Sequence, residues 1–179
     1  MLSNCCLDAQ GFEQELLKES IASILAANEL CSMATVNDSS SPYINTAYYA
    51  FKDDLRIYFL SNPIRQHSLN LTNNSSIALS IFTSAQPFAS LAQGLQIFGD
   101  CHLTNQDEAR DAFHVFSQRF PKLLDEVPTF EEYLAGMVKG RFYEIRPRTI
   151  KFFDEPRFGK GIWVPVNVNT ESLAANGDK

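Results

Sequence analysis

The chain has 179 residues, 45% of them hydrophobic and 20% charged, proportions of one ordinary soluble domain able to bury a core. A net charge of −6 and a pI near 5.0, with no block of five or more Lys/Arg, argue against non-specific nucleic-acid binding. No apolar run approaches the ~18–20 residues needed to span a bilayer, so no membrane helix is expected.

Residues 1–9 show no pattern and are expected to be disordered. From Gly11 to Asn28, Phe12, Leu16, Leu17, Ile21, Ile24 and Leu25 recur at helical spacing between Glu and Lys residues. Leu30–Val36 reads as a strand ended by the turn-rich Asn37–Pro42, and Tyr43–Phe51 as an aromatic-rich strand. Lys52-Asp53-Asp54 is a hairpin turn, and Leu55–Leu60 the return strand. A helix is expected from about Pro63 to Thr72, then an apolar strand Ile77–Thr83 and a loop Ser84–Ala92. Gln93–Leu103 alternates around Gly94 and Gly99, where glycines inside a strand signal bulges or sharp bends. Asp107–Phe120 predicts a helix with Ala109, Ala112, Phe113 and Phe116 on one face. Thr129–Met137 predicts a short helix, with Thr129 and Glu132 spaced as a capping box. Arg141–Phe153 is a strand pair or one bent strand broken near Pro147, Phe158–Val166 a last strand, and residues 167–179 a flexible tail.

No repeat or linker divides residues 10–166, which read as a single domain. The order of elements predicts an α+β fold: an antiparallel sheet with helices segregated around it, closed or nearly closed into a barrel that removes exposed edges.

Four cysteines, at positions 5, 6, 31 and 101, show no CxxC or zinc spacing and follow no signal-peptide or lipid-attachment pattern. Cys31 and Cys101 fall in apolar runs and read as buried thiols in a reducing, cytoplasmic setting. His102 and His114 have no metal-ligand partner at the usual sequence spacings, so no metal is expected. GxSxG, HExxH, GxGxxG and Walker patterns are absent from the sequence.

One stretch runs against helix electrostatics. Ser61-Asn62-Pro63 is a helix-start signal, yet the residues that follow are Ile64, Arg65, Gln66 and His67. Unpaired N–H groups give a helix start partial positive charge, which favours acidic rather than basic neighbours. A bound anion would reverse that preference, because the helix start and the cations would then attract the same charge.

The order of elements resembles the pyridoxamine-phosphate-oxidase-like FMN-binding split barrels. The likeness rests on CSMATV, SPYINTAYYAF–LRIYFLS, RQHSLNL, SIALSIF, GLQIFGDCHL and DEARDAFHVFSQRFP, and covers roughly residues 16–164. The segment YEIRPRTIKFFDEPRFGKGIW is most similar to the YhbP-like branch of that superfamily. The resemblance implies a six-stranded or larger split barrel with flanking helices. It also implies a homodimer with FMN in a groove between subunits, and a flavin phosphate at the helix start beside Arg65, Gln66 and His67. Many relatives carry Lys, often after Arg, where this chain has His67 after Gln66.

By the same resemblance, Asn45, Thr46 and Ala47 on one strand and Leu60 and Ser61 on the next border the flavin ring and ribityl chain. Gln96 is a candidate ring or phosphate contact, with Gln93 a weaker one. Lys160 and Trp163 lie in a region that reaches the partner's flavin in related barrels, although core packing is the preferred reading for Trp163 and Phe158. Arg119-Phe120-Pro121 matches a recurring family tripeptide and reads as a helix end. The leading expectation is an FMN-dependent oxidoreductase acting on a small molecule, with no ionisable catalytic side chain required. Its competitors are a haem- or deazaflavin-holding sensor on the same barrel, and a dimer whose groove has lost its cofactor.

Overall fold

The computed structural model describes residues 2–169. In chain order the elements are β1 (Cys6–Asp8), α1 (Gln14–Ala27), β2 (Leu30–Val36), β3 (Pro42–Phe51), β4 (Ile57–Ser61), α2 (Gln66–Asn73), β5 (Ser76–Phe82) and β6 (Gln93–Leu103). There follow α3 (Gln106–Arg119), α4 (Leu123–Glu126), α5 (Phe130–Leu134), β7 (Arg141–Asp154), α6 (Glu155–Phe158) and β8 (Val164–Asn169).

All strand pairs are antiparallel, in the order β1-β8-β7-β4-β3-β2-β5-β6, and β6 returns to pair with β7. The last pairing closes six strands into a barrel and leaves β8 and β1 as an extension from β7, so the fold is α+β as expected. Alternation along the strands fills the interior: Met33, Leu79, Ile97 and Ile150 are all buried within it. A second apolar cluster sits outside the barrel, where Phe113 and Phe116 of α3 meet Tyr133 of α5 over Tyr58 and Phe142.

Closure requires β7 to bend. Opposite the step from Phe98 to Gly99 its register shifts, with Phe98 facing Thr149 and Gly99 facing Pro147, so Arg148 is the extra residue of a bulge. A Cβ at Gly99 would collide with the Arg146 carbonyl, so glycine is what lets the strands cross this closely. Arg141–Asp154 is therefore one bent strand rather than two.

Several expectations need correction. Residues 2–9 are not a disordered start: β1 pairs with β8, and Leu2, Cys5 and Leu7 are buried. Three short-range apolar residues carry no periodic signal, and only the distant strand β8 gives them a partner. The helix expected from Pro63 begins at Gln66, because Asn62–Arg65 form a turn closed by Arg65 N–H to Asn62 C=O at 3.0 Å. The last strand runs from Val164 to Asn169, not from Phe158, since Glu155–Phe158 form the short α6. It thus takes in residues 167–169 of the tail, while residues 170–179 lie outside the described residues. α4 has no counterpart among the expected elements.

Candidate functional site

The barrel is open along one seam. β3 pairs with β2 from Pro42 to Tyr48, but with β4 only over Tyr49–Phe51. Beyond that point Leu60 and Ser61 of β4 follow β7 instead, pairing with Phe142 and Arg141. The Tyr49 N–H bonds the Glu29 carbonyl at 3.2 Å. Peptide groups alternate sides along an antiparallel strand, so those of Thr46 and Tyr48 turn the other way, toward the open seam. The Thr46 peptide group thereby lines one wall, just past the end of the β3–β4 ladder.

A groove of about 850 Å³ occupies the seam. Asn45, Thr46, Ala47, Tyr48, Leu60, Ser61 and His67 line one side; Phe116, Arg119, Phe120, Pro121, Lys122 and Leu123, from the end of α3 into α4, line the other. Glu29 stands at the edge. Among the described residues Asn45 Oδ1 is buried without a hydrogen-bond partner, an unmet polar group of the kind a ligand satisfies.

His67 is only 9% exposed. Its Nε2 lies 2.6 Å from Ser61 Oγ, and its ring tilts against Phe59 at 6.3 Å between centroids. Burial first, and the Arg65 charge second, push its pKa below the ordinary imidazole value. The basic residues at the start of α2 are therefore not alike: Arg65 is an exposed cation, while His67 is a buried neutral ring. No side chain caps this helix start, whose N-cap is Arg65 itself.

Arg119 is more than a helix end. Its Nη2 donates to the Leu25 carbonyl at 2.9 Å and also to that of Asn28, holding the end of α1. Its guanidinium carbon lies 4.8 Å from the Tyr49 ring centre and 5.2 Å from that of Phe51. The Tyr49 hydroxyl donates to the same Leu25 carbonyl at 2.8 Å. Arg119, Phe120 and Lys122 escape notice in the sequence because a helix end and its loop carry no ligand-type spacing; RFP is the single local signal.

Of the residues singled out from sequence, the groove gathers Asn45, Thr46, Ala47, Leu60, Ser61 and His67. Arg65 and Gln66 stand at its rim rather than among its lining; Gln66 Nε2 donates to Asn70 Oδ1 at 2.8 Å. Gln96, Lys160 and Trp163 lie elsewhere on this chain. Gln96 belongs to the outer barrel face, in the cross-strand row Thr46–Ser32–Ser80–Gln96–Lys151. Trp163 packs on Phe153 at 4.4 Å, with Lys151 Nζ 4.9 Å from its ring centre. Lys160 is exposed, and Phe158 packs between Phe12 and Phe152. Gln93 is engaged by Asp154, which accepts from its Nε2 at 2.7 Å.

A charged ladder lies behind the groove, under α3. Through space His102 does approach two carboxylates, Glu108 and Glu144, within 4.8 Å, although their sequence spacing hides it. Arg146 bonds both, at 2.5 Å to Glu144 and 3.0 Å to Glu108, and Arg56 lies 3.6 Å from Glu144. Lys52 and Asp111, 2.8 Å apart, continue the alternation. Cationic side chains already balance these carboxylates, so the cluster ties α3 to the barrel rather than offering a free metal cage.

Over most of its length the chain shares its fold with solved structures of low sequence identity, at which likeness shows the fold alone. A haem-binding protein from Mycobacterium smegmatis superimposes with a TM-score of 0.67 at 13% identity, over 84% of this chain and 57% of that one. The haem storage protein HutZ from Vibrio cholerae gives 0.58 at 15%, over 73% and 89%. A Listeria innocua protein provisionally called a pyridoxamine 5'-phosphate oxidase gives 0.60 at 14%, over 76% and 98%. No curated protein matches the sequence. The family model for pyridoxamine 5'-phosphate oxidase matches residues 17–154, from α1 to the end of β7, and the chain belongs to that family.

Proposed function

We propose that this protein is an FMN-dependent oxidoreductase of a small-molecule substrate, with its cofactor in the β3–β4 seam. The observation that carries the reading is Asn45 Oδ1, without a partner among the described residues, in a groove that opens where the β3–β4 ladder ends. A flavin ring is flat, with donors and acceptors along one edge, and needs this kind of close polar backbone rather than a charged cage. Ala47 leaves room for close approach, Thr46 and Ser61 offer hydroxyls, and Leu60 gives an apolar contact. The uncapped start of α2, with Arg65 and Gln66 at the rim and His67 inside, suits the phosphate. FMN, when bound, supplies the hydride-exchanging centre; the chain supplies position and electrostatics.

The active unit would be a homodimer, as is common in this fold family. Its interface would be the outer face of β2, β5 and β6 with the Ile44–Thr46 part of β3, since α3 covers β3 only from Tyr48 to Ala50. Two registered rows cross it: Ile44–Ala34–Ala78–Phe98–Thr149, and the row containing Thr46 and Gln96. Small residues lie at its middle, while Ile44 at 71% and Phe98 at 44% exposure stand at its sides. Thr46 belongs both to this face and to the groove, so a second copy seated here brings its own Gln96, Lys160 or Trp163 toward the first copy's cofactor. Lys160 and Trp163 also support placement in the YhbP-like branch. The free, buried Cys5, Cys31 and Cys101 suit a cytoplasmic protein, and among the described residues no helix is long and apolar enough to cross a membrane.

The absorbance spectrum of the purified protein, repeated after excess FMN and desalting, tests the reading. Retained flavin bands, weakened in Arg65→Ala, are the expected result; complete release of added FMN would overturn it. A Soret band instead, lost in His67→Ala, would mark haem held by the one described histidine that lines the groove.

A further inference from the structure

We propose that binding of a phosphate-bearing cofactor is coupled to uptake of a proton by His67, so that the groove holds that ligand more tightly as pH falls from about 7.5 toward about 6. This rests on the reading of the start of α2 as a phosphate site and concerns how that site is regulated.

The geometry makes His67 a conditional cation. The ring is nine-tenths buried and lines the groove, and among the described residues no hydrogen bond reaches its Nδ1. Its Nε2 meets the Ser61 hydroxyl, which donates to a neutral imidazole and accepts from a protonated one. Rotation of one hydroxyl therefore accommodates either state without moving the ring.

The surroundings decide which state is held. From β4 the ring faces Ser61 and Phe59, and from β3 Asn45 and Thr46, all uncharged. Its own segment contributes Arg65, while Arg119 and Lys122 face the groove from α3 and the loop after it. Glu29 is the one carboxylate in the lining. Burial, the Arg65 charge and the helix start oppose a further positive charge, and Glu29 at the edge of the groove does not outweigh them, so without a ligand the ring stays neutral near pH 7. A dianionic phosphate reverses the balance and raises the proton affinity of the ring. The free-state pKa is below the ordinary value and the bound-state pKa above it, so binding takes up a proton between the two. Below about pH 6 the phosphate itself takes a second proton, which closes the window. A lysine at this position would be charged throughout and show no such coupling.

Calorimetric titration of the full-length chain with FMN at pH 7, in two buffers of different ionisation enthalpy, counts the protons. The expected result is an uptake of at least about half a proton, with FMN affinity rising about three- to tenfold from pH 7.5 to 6. His67→Gln should bind with the same heat in both buffers, and His67→Lys should bind tightly without pH dependence. Riboflavin, which lacks the phosphate, should show no uptake. Uptake that is absent, or that persists unchanged in His67→Gln, overturns the proposal while leaving FMN binding intact. If FMN does not bind at all, the cofactor reading fails separately. Proton NMR of the 3 imidazoles in sodium phosphate against sodium chloride then decides: an upward shift of the His67 midpoint supports the coupling, and an unchanged midpoint overturns it.

Discussion

Ser61 Oγ and His67 Nε2 lie 2.6 Å apart, joining the last residue of β4 to the first turn of α2 beside the open seam. With no anion bound, this contact holds an imidazole whose pKa burial and Arg65 lower. The sign follows directly. The unfolded chain binds a proton at this histidine more readily than the fold does. Its contribution to stability is therefore complete above about pH 6.5 and declines as acid protonates the unfolded state. Urea unfolding of ligand-free protein should show a lower midpoint at pH 5.5 than at pH 7.5, and His67→Gln should flatten that part of the slope. An identical slope in the variant would place the acid sensitivity elsewhere.

Arg119 holds α1, α3 and the groove wall together. Arg119→Ala removes two hydrogen bonds to carbonyls at the end of α1 and the cation stacked on Tyr49 and Phe51. A loss of about 3 kcal/mol is expected, since hydrogen bonds to charged groups are worth roughly 1.5–3 kcal/mol each before relaxation. Arg119→Lys keeps the charge but not the planar fork and should recover less than half. Chemical denaturation of the three proteins checks the order; a lysine variant as stable as the parent would contradict it.

Glu144 is fully buried between Arg56 and Arg146. Its hydrogen bond to Arg146 helps to hold that guanidinium's pKa above the usual range. Glu144→Gln removes the charge both cations face, at an expected cost of about 3 kcal/mol. Pairing it with Arg146→Met should return part of the loss, because one uncompensated cation goes with it. Strictly additive losses in the double-mutant cycle would show that the ladder is not a coupled unit.

Much of this fold is legible in local patterns. β2 and β6 have the bounds their alternation predicts, and the Thr129–Glu132 capping box forms as its spacing requires. These depend on neighbours within a few residues. β1 is different: three residues with no period become a strand only because Val168 and its neighbours lie alongside. The site divides in the same way. Arg65 and His67 announce themselves by breaking a helix-start rule, whereas Arg119 reaches the groove by spanning from α3 to the end of α1, 94 residues away from Leu25. Gln96 is three strands round the barrel from Thr46, a distance that only the order of the sheet reveals.

Gly99 marks where the barrel closes. A methyl group there meets the Arg146 backbone, which cannot swing aside as a side chain would. Gly99→Ala should cost about 3 kcal/mol, at the upper end of overpacking. Gly94→Ala, whose nearest obstacles are the Phe153 ring and the Phe82 Cβ, should cost less because the ring is free to turn. Equal losses in thermal unfolding would remove the bulge from the account of closure.

The outer face gives the sharpest test of assembly. Ala78 sits opposite Ala34 on one side and Phe98 on the other, at the middle of the apolar row. Its side chain points away from the barrel interior, so Ala78→Arg need not disturb the core. In a dimer built on this face the substitution buries a charge against its own symmetry mate, where unpaired charges are costly. Sedimentation should then find the parent as a dimer and the variant as a monomer with an unchanged circular dichroism spectrum. Flavin retention should fall with the dimer, because the seam would lose the partner residues that complete it. A variant that stays dimeric and keeps its flavin would move the interface to another surface.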